Sequence, residues 1–586
     1  MLRLFLIATC YALLSACTSP ASRTAVAPAA ADEPQKPASK APERAFPADS
    51  LYPLLVAEFA LRRRAYDVAL DNYMTQAEVL RDAGVSAHTT HLTQFLQRER
   101  EALQASRLWV ELEPENVEAN SILAALLVRQ GRGPEALPHL ALVQRKTGEA
   151  NFPALLNGFN DLDFAQQEAL QHGIDELAGQ FPANTSLLLT QAMLHTEYEQ
   201  YAAALDKLDD VLALEPEQPQ ALLLEARILL ARGAKQPFAR LERVLRANPD
   251  STQLRLQYAR LLTAHDISAA RAQFELLSAQ SPRDGDLLLS LALINREIGD
   301  DLAAGAYLRQ LLALEQRMDE AHYYLGRIAE DAGDLRTALA EFRLVAGGRE
   351  FISANARIGR ILIGAGQLQE SLAWFDRQRQ QHPQQREQLY ALQADVLNQS
   401  GAPGPAIDTL TQALRELPDS TSLRYARSML SEQQDDLTAM ESDLRAILAR
   451  EPDNATVLNA LGYSLANRTE RYTEALELIT RALELEPDEP AILDSMGWVL
   501  FHTGRYEEAL DYLTRAYADF PDPEVAAHLG EVLWTIGNTD AATAIWQGAL
   551  LKDPDHHVLN ETLQRLGVER AKLLRAHGAT TAKERR

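Results

Sequence analysis

Prolines recur along this chain at a spacing that few folds can accommodate. Pro182, Pro216, Pro249 and Pro282 stand 34, 33 and 33 residues apart. Pro383, Pro418, Pro452, Pro487, Pro521 and Pro554 follow one another at 35, 34, 35, 34 and 33. The wide gaps, Pro114 to Pro182 and Pro282 to Pro383, measure 68 and 101 residues, near two and three periods. Proline cannot continue a helix interior, so each one ends a structural unit or starts the next. A period near 34 belongs to stacked helical hairpins. Composition agrees, because only 28 of 586 residues are Gly and aromatics make up 6%. Few glycines and aromatics favour an all-α protein over a sandwich or barrel.

The residues between the prolines repeat as well. Leu493, Met496, Gly497, Gly504, Tyr506, Ala509, Leu513, Ala516 and Pro521 fall at diagnostic positions of the tetratricopeptide pattern. Gly497 and Ala509 are small where two helices must cross closely, and Gly504 suits a turn with positive φ. The frame recurs at Gly326, Gly333, Ala338 and Phe342, and again at Gly359, Gly366, Phe375 and Pro383. It continues through Leu461, Gly462, Ala475, Ala482 and Pro487, with one residue inserted in the turn, and through Gly530, Gly537, Ala542, Trp546, Ala549 and Pro554. The chain therefore divides into degenerate helical repeats over 51–182, tetratricopeptide repeats over 183–555, a capping helix over 556–578 and a basic tail over 579–586. Within the first part, 51–80 reads as a helical hairpin, while 86–114 and 150–182 are degenerate. The expected fold is an α-solenoid, a superhelix in which each repeat touches mainly its neighbours.

In such arrays the first helix of every repeat lines the concave surface. The frame places Tyr323, Arg327 and Arg360 there in mid-array. Near the C-terminal end it adds Asn459, Tyr463, Asn467, Asp494, Trp498, Phe501, His502, Glu531 and Trp534. Aromatic and Arg side chains are common interface anchors. Tyr463, Trp498, Phe501 and Trp534 are expected along one groove, about a repeat apart. The competing reading is that Trp498 and Trp534 pack between neighbouring first helices.

The N-terminus carries an address. Arg3 precedes the apolar run Leu4–Leu14, too short to span a bilayer but long enough for a signal-peptide core. Leu14, Ser15, Ala16 and Cys17 resemble a bacterial lipobox, so residues 1–16 form the lipoprotein signal peptide and Cys17 is the expected lipidation site. Cys10 leaves with the signal, and the mature chain then keeps no free thiol. Several acyl chains satisfy the requirement for stable anchoring. Thr18, in place of the Asp that retains lipoproteins at the inner membrane of enteric bacteria, favours the outer membrane. Residues 17–48 form a Pro/Ala-rich linker too poor in apolar periodicity to fold. Extended, it reaches at most ~95 Å.

Chemistry has little room. Repeats fill 51–555, and no Walker loop, nucleophile elbow, His-Glu-x-x-His or paired Cys motif occurs. Gly364 and Gly366 lack the third glycine of a phosphate loop. His88 and His91 share a helix face without a third ligand, so neither a metal nor another cofactor is expected. Arg62, Arg63 and Arg64 form a basic run that suits lipid headgroups or a solvated helix face. A net charge of −25 disfavours nucleic acid. The chain reads as a non-enzymatic scaffold for protein partners.

Four segments narrow this further: residues 69–77, Leu458–Tyr463, Leu493–Trp498 and Val525–Trp534. Over about 51–566 the chain resembles an outer-membrane tetratricopeptide lipoprotein that serves as adaptor of a periplasmic carboxyl-terminal processing protease. The resemblance implies a periplasm-facing scaffold that binds and activates the protease and brings it cell-wall hydrolases. An assembly or polysaccharide-export lipoprotein would share the same anchor and repeats.

Overall fold

The computed structural model describes residues 47–571 together with Leu573 and Leu574. The expected signal peptide, Cys17, nearly all of the linker and the tail 579–586 lie outside these residues. Every regular element among the described residues is helical. They fall into two compact units that part within the helix Ala239–Ala247, one ending at Val244 and the other starting at Leu245.

In the first unit, Ala48–Arg62 pairs with Tyr66–Leu80, Ala83–Phe95 with Glu99–Leu112, and Val117–Arg129 with Gly133–Thr147. Thr185–Glu197 pairs with Tyr201–Leu214 in the same way. The second unit continues the pattern from Thr252–Leu262 with Ile267–Gln280 to Pro523–Thr535 with Thr539–Lys552. The helix His557–Arg565 closes it.

Three expected boundaries change. The first helix begins at Ala48, so the linker is shorter than 17–48. The segment 86–114 is a regular hairpin, not a degenerate one. Its first helix fills the core with Ser86, Thr89, Thr90 and Thr93, whose hydroxyls donate to carbonyls of their own helix. Only 150–182 departs from the pattern, where two 3-10 turns, Phe152–Leu156 and Phe159–Asp161, stand in place of a first helix. The cap is also interrupted: Gly567 takes φ +69° after Arg565, before helix resumes at Arg570.

The periodic residues act as their chemistry suggests. Phe520 is the C-cap of Tyr506–Asp519, Pro521 follows it, and the next helix starts at Pro523. Asn or Asp caps many first helices; Asn454, for instance, accepts the Val457 N–H at 3.1 Å. Such caps contribute about 1 kcal/mol each. Gly504 turns the chain at φ +78°. A Cβ on Gly497 would lie 2.5 Å from Leu513 Cγ, so the two helices of this hairpin meet on bare backbone. Gly497→Val is therefore expected to cost about 1–3 kcal/mol through overpacking. Chemical denaturation of the full chain, read by helical circular dichroism, checks this.

Candidate interaction surface

First helices supply most of the buried polar groups near the C-terminal end. Ala455–Arg468 packs against Pro490–His502, which in turn packs against Pro523–Thr535. The apolar side of each faces its hairpin partner, through Leu461, Met496 and Leu529 among others. What remains on the inner side is polar and aromatic, and it converges.

His528 is the centre of that convergence. Its Nδ1 sits 3.0 Å from both carboxylate oxygens of Asp494, on the preceding first helix. Its ring stacks on Trp498, with centroids 4.0 Å apart and planes 22° apart. Only 1% of His528 and 5% of Trp498 is exposed. Burial alone would push the imidazole down, but Asp494 and, more weakly, Glu524 and Glu531 outweigh it, so its pKa is raised. His528 and Asp494 thus pair in the interior, as an ion pair while the imidazole is protonated.

Tyr463 joins the same cluster from a third helix. Its hydroxyl donates to Glu524 at 2.6 Å, and its ring lies 6.0 Å from His528. Burial first, then Glu524, holds the phenol protonated well above its usual range. Tyr463 and Glu524 belong to first helices two repeats apart, so the inner side is bridged here by the chain's own side chains. One helix back, Ser464 donates to Glu432 at 2.5 Å. At the far end, Arg565 of the closing helix grips the buried Glu531 with both Nη atoms.

The remaining expected residues divide by exposure. Trp498 Nε1 donates to Asn467 Oδ1 at 3.2 Å, and its indole stacks on Phe501 at 5.3 Å. His502 meets the Trp498 face edge-on and stacks on Tyr472 at 5.1 Å. Burial pushes the His502 pKa down. Trp534 is half-buried beside Trp546, 5.7 Å away, and Asn459 reaches the Ala491 carbonyl at 3.5 Å. Asn467 is exposed, and Phe501 is half-buried. Trp498, Asp494 and Glu531 are corrections to the expected groove: they are packed or paired inside it and offer a partner little surface. The alternative of packing between first helices describes Trp498.

In mid-array, Tyr323 is buried and its hydroxyl faces two guanidiniums. Burial would raise the phenol, but Arg357 and Arg327 outweigh it and hold it below its usual range. Glu330 pairs with both arginines. Arg360, one turn beyond Arg357, is exposed. Tyr323 is therefore a further correction to the expected groove: it is buried, beside Arg327 and the unforeseen Arg357, both held by Glu330, while Arg360 is exposed.

The frame also missed His528, Glu524 and Arg565. A signal existed: His528 follows Asp494 by 34 residues, one period, so opposite charges occupy equivalent positions of consecutive repeats. Among the described residues, no group of three or more His, Cys, Asp or Glu could hold a metal ion.

Comparison with known proteins follows the same lines. Tetratricopeptide-repeat family models match residues 118–141, 189–252, 453–522 and 500–566. The TPR repeat-containing protein PA4667 of Pseudomonas aeruginosa is 38% identical over 488 residues, covering 83% of this chain and 82% of its own. The bacteriophage adsorption protein A of Escherichia coli K12 is 32% identical over 99 residues, covering 17% of this chain and 10% of that one. The crystal structure of yeast Tom70 aligns over 92% of this chain and 96% of its own, at 14% identity and TM-score 0.34. A stretch within the N-terminal part, 118–141, thus carries the repeat too. The chain belongs to the tetratricopeptide-repeat proteins.

Proposed function

We propose that this protein is a periplasm-facing scaffold, anchored through Cys17 to the outer membrane, that recruits a carboxyl-terminal processing protease to cell-wall hydrolases. The resemblance over about 51–566 suggests the protease and its substrates, and the order of elements supports the setting: lipobox, tether, then hairpins from Ala48 to Arg565 with no separate catalytic domain among the described residues. Superhelical tetratricopeptide arrays bind protein partners along extended surfaces. Mid-array, the exposed Arg360 offers a cationic contact of the kind interfaces use.

Crosslinking in the intact envelope, followed by capture of the tagged chain, tests the adaptor role. Recovery of a periplasmic protease with a cell-wall hydrolase supports it. Recovery of a β-barrel or a polysaccharide synthase in their place moves the reading to an assembly or export lipoprotein. Cys17→Ser separates the anchor from the partner: the variant is expected to leave the outer-membrane fraction while still capturing the protease. Retention in that fraction at high salt would remove the lipidation site from the proposal.

A further inference from the structure

The first helix presents two unlike faces. Ser50, Ala57 and Ala60 are buried against Tyr66–Leu80. Leu51, Leu55 and Phe59, four residues apart, run along the opposite side, with Tyr52 at one edge of the stripe and the exposed Glu58 at the other. Leu51, Tyr52, Leu55 and Phe59 are 56%, 76%, 46% and 59% exposed. Four large apolar side chains this open within three turns form a contiguous patch, which marks an interaction site.

The end of the stripe is basic. Arg62 continues it two turns beyond Leu55, and Arg63 and Arg64 follow directly. All three are exposed, and none pairs with a carboxylate among the described residues. Nearby Arg98, by contrast, is matched to Asp67 at 2.8 Å. In a chain of net charge −25, three adjacent uncompensated cations stand out. An exposed apolar stripe that ends in unpaired arginines suits the edge of an anionic bilayer, where guanidiniums can meet lipid phosphates.

We infer that Ala48–Arg62 with Arg62–Arg64 docks on an anionic lipid surface, laying the first hairpin against the bilayer. This rests on the anchor reading for its setting. Cys17 lies in the same chain, and the helix is the first described element after the tether. A lipid-anchored chain holds that helix close to headgroups at high effective concentration. Leu51, Leu55 and Phe59 would enter the headgroup–acyl boundary, and the guanidiniums would meet lipid phosphates.

Flotation of the unlipidated full chain tests the face apart from the anchor. The mature chain carrying Cys17→Ser is mixed with vesicles of phosphatidylethanolamine and phosphatidylglycerol, or of phosphatidylcholine alone. It is expected to float with the anionic vesicles only, and less as salt is raised. Leu55→Glu with Phe59→Glu, and separately charge reversal of Arg62, Arg63 and Arg64, should each lower the partition coefficient about 10-fold or more. Helical content and melting should stay unchanged, since the altered side chains are exposed. Absence of flotation, or flotation that ignores both sets of changes, overturns the inference. So does a dimer in sedimentation that Leu55→Glu dissolves, which would assign the stripe to a second copy of the chain. Mass spectrometry of the peptide beginning at Cys17 in the native protein decides the anchor independently.

Discussion

Asp494→Ala is expected to destabilise the C-terminal hairpins by about 3–5 kcal/mol at mildly acidic pH, because it strips the counter-charge from a buried histidine. The size of the loss should depend on pH, and the sign follows from the raised pKa of His528. In the unfolded chain the imidazole titrates near ~6.5. In the folded chain Asp494, at 3.0 Å, keeps it protonated to higher pH against the opposing effect of burial. Below the unfolded value both states carry the proton, and the stabilisation from the pair is fully present. As pH rises through the folded value the proton is lost, and this contribution goes with it. Wild-type stability of these hairpins should therefore decline on the alkaline side of ~6.5, and Asp494→Ala should flatten that decline. The Trp498 ring reports the event directly, because a stacked imidazolium and a stacked imidazole quench indole fluorescence differently. A pH series of denaturation curves checks both parts. A decline of equal size in wild type and variant would show that other groups govern it.

How much of this was legible beforehand depends on what each residue does for the backbone. Turn glycines such as Gly504 and crossing glycines such as Gly497 recur at fixed positions, so the period shows through them. The helix Ala83–Phe95 was illegible because it satisfies its core with hydroxyls that bond back to its own turns. Its hairpin bends at Gln97, at φ +57° without glycine. Periodicity searches look for apolar residues and a turn glycine, but Leu92 is the one apolar side chain that this first helix buries, and its turn has no glycine. Residues 150–162 were read as degenerate, and they do break the pattern: Phe152, Leu155 and Phe159 are apolar and buried, but in 3-10 turns with Pro153 among them. In the candidate surface, the frame identified which residues lie on first helices. It could not say what they touch, because Asp494, Trp498 and Tyr463 take partners one or two periods away. Pairing across repeats depends on how tightly neighbouring first helices wind, a tertiary property with no local signature.

That distinction decides the outcome for Trp498. On a first helix, an indole pointing into an open groove and one wedged against the next first helix occupy the same repeat position. The structure places Trp498 against His528 and Phe501, with its Nε1 hydrogen tied to Asn467. Trp498→Ala should then cost about 3–5 kcal/mol of folding through the cavity it leaves. Stacked hairpins need not unfold all at once, so the loss is expected in the transition of the C-terminal hairpins. Hydrogen exchange over residues 455–552 would localise it. Arg360→Ala makes the contrast: an exposed side chain whose removal should change stability by no more than about 0.5 kcal/mol. Partner capture lost with Arg360→Ala at unchanged melting identifies a contact. Capture lost with Trp498→Ala alongside a collapse in melting identifies a support of the curved wall. Should Trp498→Ala melt like wild type and still lose the partner, the indole reaches into the groove and the packing account of this cluster fails.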